Sequence, residues 1–171
     1  NILPVTISST HISAELVDGQ IIEQEFNVRA LGKPDIRRVY IQDPAARAYE
    51  PCIAAIRDAD LITIGPGSLF TTVIACLAFE DIAAAIRESS ATVAYICNNT
   101  TQPGQTDGFT LYDHVFQITR YLGEGVLDYA LLNSRAPSSH AVRLYAADGV
   151  HVLLPTDAEN ARIAALGVTP V

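Results

Sequence analysis

Two stretches of the chain place hydrogen-bonding residues where a strand gives way to a helix. The first is Gly65-Pro66-Gly67-Ser68, after the apolar run Asp60–Ile64 and before a helical pattern that starts near Leu69. Gly67 carries no side chain and lets backbone N–H groups approach an anion. Ser68, Thr71 and Thr72 add hydroxyl donors at the positive end of the helix. No Lys follows the glycines, so this is neither a P-loop nor the six-residue dinucleotide fingerprint. The same residues also suit a plain strand–helix turn capped by Ser or Thr. The second stretch is Asn98–Phe109, which holds Asn98, Asn99, Thr100, Thr101, Gln102, Gln105, Thr106 and Asp107. Connections in α/β units run ~2–6 residues, and this one is longer. It is either a solvated connection or a binding loop at the carboxyl end of a strand, where open α/β sheets take their ligands.

Acid–base chemistry has three candidates, Asp60, Asp113 and His114, and no assigned catalytic residue. Asp113 falls in the first turn of the helix after the second loop, where an acid also complements the helix dipole. His114 beside it is a proton donor, a phosphate partner or a structural histidine. Asp60 precedes a strand and also suits the end of a helix. Tyr145, near Arg143, could stack on a base or lie half-buried on the surface. His11, His140 and His151 have no metal-ligand spacing with His114, so no metal site is expected. No Ser–His–Asp order or Cys–His pair stands out.

The elements that position these residues alternate. His11–Leu16 and Ile21–Val28 flank Asp18-Gly19, a hairpin turn signal. Pro4 limits Asn1–Ser9 to an edge strand or a connection. Ile36–Gln42 is a further short strand. Glu50–Asp58 has helical spacing, with Pro51 in the first turn. Asp60–Ile64 is near-continuously apolar, as suits a parallel strand covered on both faces. Leu69–Ser90 is the longest helical pattern, split near Phe79-Glu80-Asp81. Thr92–Cys97 is a strand, Thr110–Leu122 a helix ended by Gly123 and Gly125, and Asp128–Asn133 a strand. Val142–Ala147 is a short helix or turn and Val150–Leu154 a strand. A helix over Ala158–Leu166 is capped by Thr156-Asp157, and Val168–Val171 begins a last strand. This alternation predicts an α/β fold of the Rossmann-like three-layer α/β/α kind, with a mostly parallel sheet and a protruding N-terminal β-hairpin over residues 1–35.

The totals narrow the function. The 171 residues are 49% hydrophobic with a net charge of −8, which suits a globular domain and opposes a nucleic-acid partner. One phosphorylated small molecule remains compatible, because loop amides can hold it. The apolar stretches are too short to span a bilayer. Cys52, Cys76 and Cys97 are odd in number, widely spaced and set in apolar contexts, and are expected as buried reduced thiols of a cytoplasmic protein. The sequence has no Met, even at position 1, and opens on Asn1-Ile2-Leu3-Pro4. It is expected to be a piece of a longer protein.

The two loops together resemble the 2-phospho-L-lactate transferase-like family, in its bacterial gluconeogenesis-factor branch of nucleotide-sugar-binding proteins. The branch's ADxIxIGPGSLYTS segment is matched by Ala59–Thr72, and its VCNxMTQPGETDGYTxxDHV segment by Ile96–Val115. Thr100, Gln105 and Phe109 stand where the branch has Met, Glu and Tyr. Phe70 and Thr72 stand for Tyr and Ser. Transferases of the family carry a Pro-Ser-Asn-Pro first loop, so Gly65–Ser68 favours the regulatory branch. The resemblance covers the second half of the usual length. The family's opening Gly-rich loop and Asp-Asp-Gly-Gly segment are not in this sequence.

The resemblance implies a regulator of central carbon metabolism and of cell shape or cell-wall synthesis that binds a phosphorylated nucleotide or a nucleotide-sugar such as UDP-N-acetylglucosamine. On that reading Gly65, Pro66, Gly67, Ser68 and Thr71 hold diphosphate. Asn98, Thr101, Gln102, Thr106 and Asp107 hold sugar or phosphate, and Tyr145 contacts the base. No cofactor is required, and a homodimer is allowed. The alternative is a phospholactyl transferase acting on a nucleotide-diphosphate donor with Mg²⁺, for which Asp60 and Asp113 are the metal or base candidates.

Overall fold

The computed structural model describes residues 2–171, so Asn1 of the opening apolar run lies outside the described residues. The hairpin forms as β1 (Ile12–Leu16) and β2 (Ile21–Glu23), antiparallel, with Ala14 opposite Ile22. The strand expected to continue to Val28 stops at Glu23. Gln24 takes a left-handed φ of 70°, and Glu25–Val28 coils into a single helical turn, α1. That turn drives Val28 fully into the core, which an extended chain pointing away from β1 would not do. The third strand, β3 (Ile36–Ile41), pairs antiparallel with β1, so the unit is a three-stranded sheet in the order β2-β1-β3. Ala14, Leu16, Val28 and Val39 join the same continuous core as the rest of the chain.

The larger sheet is parallel throughout. β4 (Leu61–Ile64), β5 (Thr92–Ile96), β6 (Tyr129–Leu131) and β7 (Thr169–Pro170) lie side by side in sequence order. Parallel crossovers are right-handed, so a sheet that always advances in one direction places all its connecting helices on one face. That layer contains α2 (Glu50–Arg57), α4 (Glu80–Glu88), α5 (Leu111–Leu122) and α7 (Asp157–Ala164), which pack as successive neighbours. α5 shows why: Leu111, Val115, Ile118 and Leu122 recur at three- and four-residue steps and are all buried.

The opposite face of the sheet is open. Leu61, Thr63, Thr92, Tyr129 and Leu131 share that face by register and are exposed, Leu61 by 57%. The Asp60–Ile64 run was expected to be covered on both faces, and in this chain it is covered on one. The expected α/β fold, a parallel sheet flanked by helices with an antiparallel hairpin unit at the N-terminal side, is the fold that forms.

The long helical pattern after β4 breaks where expected. α3 (Leu69–Leu77) and α4 meet at a 69° bend around Phe79. The first six residues of α3, Leu69–Ile74, are wound as a π-helix. Among the described residues, no single helix is long and apolar enough to cross a membrane. Among the described residues, the chain before β1 makes no strand. Val150–Leu154, expected as a strand, contributes only an isolated bridge from Val152 to Thr100. α6 (Ser139–Ala147) is a full helix that buries none of its residues. The three cysteines are free thiols, but only Cys97 is buried. Cys52 is half-buried and Cys76 exposed, against the expectation of three buried thiols.

Candidate functional site

The loops after β4 and β5 leave the carboxyl ends of neighbouring strands and are bonded to each other. Gly65 has a φ of +86°, and a Cβ there would lie 3.0 Å from the Ile96 carbonyl oxygen, so only glycine lets the chain pass this close to the end of β5. The Asn98 side chain donates to the Gly67 carbonyl (2.9 Å) and accepts from the Tyr95 hydroxyl (2.9 Å). The Gln102 side chain donates from Nε2 to Ser68 Oγ (2.8 Å), and its Oε1 accepts from the Leu69 N–H (3.3 Å). Two amide side chains of the long loop thus shape the short one.

The long loop is also bonded within itself and to the segment after α6. The N–H groups of Gln105 and Thr106 both donate to the Gln102 carbonyl, while the Gln102 N–H donates to Thr106 Oγ1 (2.8 Å). The Gly104 N–H donates to the Asp107 carboxylate (2.6 Å). Thr101 pairs with His151: its N–H donates to the His151 carbonyl, and its Oγ1 accepts from the His151 N–H (2.9 Å). Thr101 and Thr106 are buried, so these bonds satisfy groups that water cannot reach.

The arrangement leaves backbone donors free where an anion would sit. Among the described residues, the N–H groups of Gly67 and Ser68 donate to no protein acceptor. They precede the N-terminus of α3, where unpaired N–H groups and the helix dipole favour negative charge. A Cβ on Gly67 would lie 3.0 Å from Thr72 Cγ2, so the loop lies against the first turn of the helix. The Thr71 hydroxyl is buried and finds no partner. The chemistry on offer is anion binding by backbone amides, with Ser68 as a nearby hydroxyl and Pro66 fixing the turn between the glycines.

The acid–base candidates do not converge on this point. Asp60 lies at the amino end of β4, the opposite end of the strand from Gly65, and its carbonyl only accepts from the Thr92 N–H. That placement removes it from the site. The Asp113 carboxylate accepts from both the N–H and the hydroxyl of Thr110, each at 2.8 Å, in a capping box that starts α5. His114 is fully buried, with its ring edge-on to Phe109. Its Nδ1 lies 2.8 Å from the Thr110 carbonyl, which fits Nδ1–H donating. Burial holds its pKa below the usual histidine value, so the ring is neutral and closed to solvent. The structural reading accounts for the contacts of Asp113 and of the Nδ1 edge of His114, while His114 Nε2 is buried without a partner. Cys97, at the end of β5, has its thiol pushed up to about 12 by burial, so it is not a thiolate nucleophile.

Tyr145 sits on α6, half exposed, without a hydrogen bond from its hydroxyl to either loop. Its helix is nevertheless held beside them. The Leu153 N–H donates to the Asn99 carbonyl, and Gly149 abuts the Pro103 ring. The residues that sequence reasoning missed are those that hold the loops from behind: His151, and Lys33, whose ammonium donates to the Gly104 carbonyl. Lys33 is the only lysine in the sequence, a signal that pointed to no partner.

Known proteins are similar to this chain in sequence and in fold. The chain is 35% identical over 167 residues to a gluconeogenesis factor of Halalkalibacterium halodurans, covering 98% of this chain and 51% of that protein. A gluconeogenesis factor of Listeria innocua is 37% identical over 133 residues, 78% of this chain and 41% of that one. A relative from Clostridium acetobutylicum is 38% identical over 147 residues, of which this chain spans 33% of the length. The crystal structure of a protein from Bacillus halodurans superimposes with a TM-score of 0.93 at 34% identity, over 100% of this chain and 54% of that one. The chain thus spans about half or less of each of these relatives. The family described as "2-phospho-L-lactate transferase CofD" matches residues 1–171, and with this fold and these loops the chain belongs to that family.

Proposed function

We propose that the chain forms the nucleotide-sugar-binding portion of a cytoplasmic gluconeogenesis factor, a regulator of central carbon metabolism and cell-wall synthesis that takes a ligand such as UDP-N-acetylglucosamine. One observation carries this reading. The free amides of Gly67 and Ser68 lie at the carboxyl end of β4, in a loop shaped by Asn98 and Gln102. They suit a diphosphate, and the Gln102–Asp107 segment beside them suits the sugar. Tyr145, on the helix held next to that segment, is the proposed base contact. The names of the relatives support the regulatory role, and the open face and free edge of the sheet leave room for the remainder of a longer polypeptide.

A second reading, phospholactyl transfer from a nucleotide-diphosphate donor, has the family's description in its favour. The residues fit it less well. The Mg²⁺ it implies finds no cluster of three or more His, Cys, Asp or Glu among the described residues, and Asp113 already serves as a helix cap.

The test is thermal unfolding of the native polypeptide with UDP-N-acetylglucosamine. A ligand at 100 times its Kd stabilises the folded state by about 2.7 kcal/mol. The expected result is a rise in Tm that saturates with ligand. No rise at saturating concentration sinks the reading, and turnover with a lactyl-diphosphonucleoside and a deazaflavin alcohol replaces it with the transferase.

A further inference from the structure

The long loop is anchored unequally along its length. Asn98–Gln102 are tied to Gly67, Ser68, Leu69, His151 and Leu153 by side-chain and backbone hydrogen bonds. The tip, residues 103–107, bonds mostly to itself: Gln105 and Thr106 to the Gln102 carbonyl, and Gly104 to Asp107. Among the described residues, one hydrogen bond reaches that tip from outside the loop, donated by the Lys33 ammonium to the Gly104 carbonyl. Lys33 lies in the connection between α1 and β3, 71 positions from Gly104, and the Asp107 and Asp35 carboxylates flank its charge. The backbone at the end of α1 also lies close to Gly104. A Cβ on Gly104 would lie 2.7 Å from both the Arg29 and Ala30 carbonyl oxygens. The tip is therefore held by the end of α1 and the Lys33 side chain.

We infer that the segment between α1 and β3, carried by the small antiparallel sheet, is the backing of the ligand loop and that Lys33 is its positioning residue, fixing residues 103–107 in the shape that binds ligand. This rests on the reading of the two loops as a nucleotide-sugar site. The sheet is itself fixed to the helical layer, so it can serve as a rigid support. The Tyr121 hydroxyl of α5 accepts from the Val39 N–H (2.7 Å) and donates to the Val39 carbonyl (2.8 Å), closing the free edge of β3 at that residue. Arg120 adds a bond to the Arg37 carbonyl (3.2 Å). A bond from a charged donor is stronger than one between neutral groups, and here it is the tip's one outside hydrogen bond. Lys33 touches no ligand in this role. It acts through the loop backbone.

The experiment uses the native polypeptide with Lys33→Met and Lys33→Arg, and reads two quantities. One is amide hydrogen exchange across residues 103–109 without ligand. The other is the affinity for UDP-N-acetylglucosamine as probe. In Lys33→Met, exchange of the loop is expected to rise about tenfold while α5 keeps its protection, and Kd to rise about tenfold with little change in Tm. Lys33→Arg, which retains a charged donor, is expected to stay within about threefold of wild type in both. Unchanged loop exchange in Lys33→Met overturns the inference. So does a loss spread evenly over the whole chain, an equal loss in Lys33→Arg, or a loosened loop with unchanged affinity. If the wild-type protein does not bind the probe at all, the nucleotide-sugar reading fails, and the exchange data alone decide whether Lys33 holds the loop.

Discussion

The loop after β4 is four residues long and has one polar side chain, Ser68. The loop after β5 is several times longer and crowded with amides and hydroxyls. Residue types alone favour the longer loop as the ligand contact and the shorter one as a mere turn. The bonding pattern reverses that ranking. The long loop uses Asn98, Gln102, Thr101 and Thr106 to hold itself and its neighbours, whereas the short loop keeps the Gly67 and Ser68 amides free. A dense set of polar side chains is therefore a frame here, and the exposed backbone it frames is the better anion site. Buried polar groups must be paired, so a loop that buries its threonines has to bond inward.

Gly104→Ala tests the frame most severely. The new Cβ would meet two backbone carbonyls at 2.7 Å at a residue whose φ is +79°, so neither a rotamer change nor local backbone relaxation relieves it. The expected loss is about 2–4 kcal/mol of unfolding free energy, read from the urea midpoint. A loss below about 1 kcal/mol would mean that the segment after α1 yields to the loop rather than supports it.

Gln102→Leu comes next, because it removes both bonds from the long loop to Ser68 and Leu69. A stability loss of about 1–2 kcal/mol is expected, together with a fall in nucleotide-sugar affinity. The affinity measurement decides between the two loops. Lost stability with full affinity would show that the short loop keeps its shape unaided and that the long loop is no frame for it.

How far these roles could be read from the sequence depends on how local their causes are. The β–loop–helix order, the split at Phe79, the apolar stripe of α5 and the cap at Thr156 follow from neighbours within one or two turns, and they appear where the pattern placed them. The end of β2 was hidden because Gln24 adopts a conformation that its residue type does not advertise. The short-loop partners of Asn98 and Gln102 lie 31–34 positions away, Tyr121 reaches Val39 across 82, and Lys33 reaches Gly104 across 71. Which amide meets which carbonyl is decided by how the sheet and helices pack. A residue list can therefore nominate Asn98 and Gln102 for the region but cannot distinguish ligand contact from support. Asp60 shows the converse: its strand was placed correctly, but the strand runs away from it toward the site.

Gly67 gives the cleaner test of the short loop. Its added Cβ would lie 3.0 Å from a Thr72 methyl group, which can shift, and its φ is not in the left-handed region. Gly67→Ala should therefore cost less than about 1 kcal/mol of stability. Gly67→Val should abolish binding in the native polypeptide without unfolding it, because branched carbons would cover the amides. Unchanged affinity in Gly67→Val would take the loop out of the site.

The smallest expected effect separates the loops by pH. The short loop contains no titratable side chain, whereas the long loop ends against His114, which meets the Thr110 carbonyl and the Phe109 ring. Desolvation lowers the pKa of His114. The bond to Thr110 and the Asp113 carboxylate oppose that shift without cancelling it. The folded protein therefore holds this ring neutral under conditions where the unfolded chain protonates it. The stabilisation is present above the ordinary histidine value of about 6.5 and is lost as pH falls below it, with a limiting slope near 1.4 kcal/mol per pH unit for one proton. Unfolding curves taken downward from neutral pH should be steeper for wild type than for His114→Gln, whose amide can still donate to the Thr110 carbonyl. The protection factors of the Thr101, Gln105 and Thr106 amides should fall over the same interval before those of β4 do. Equal slopes in the two proteins would mean that the ring titrates alike folded and unfolded. The long loop would then owe its shape to Gln102, Thr106 and Lys33 without help from the helix that follows it.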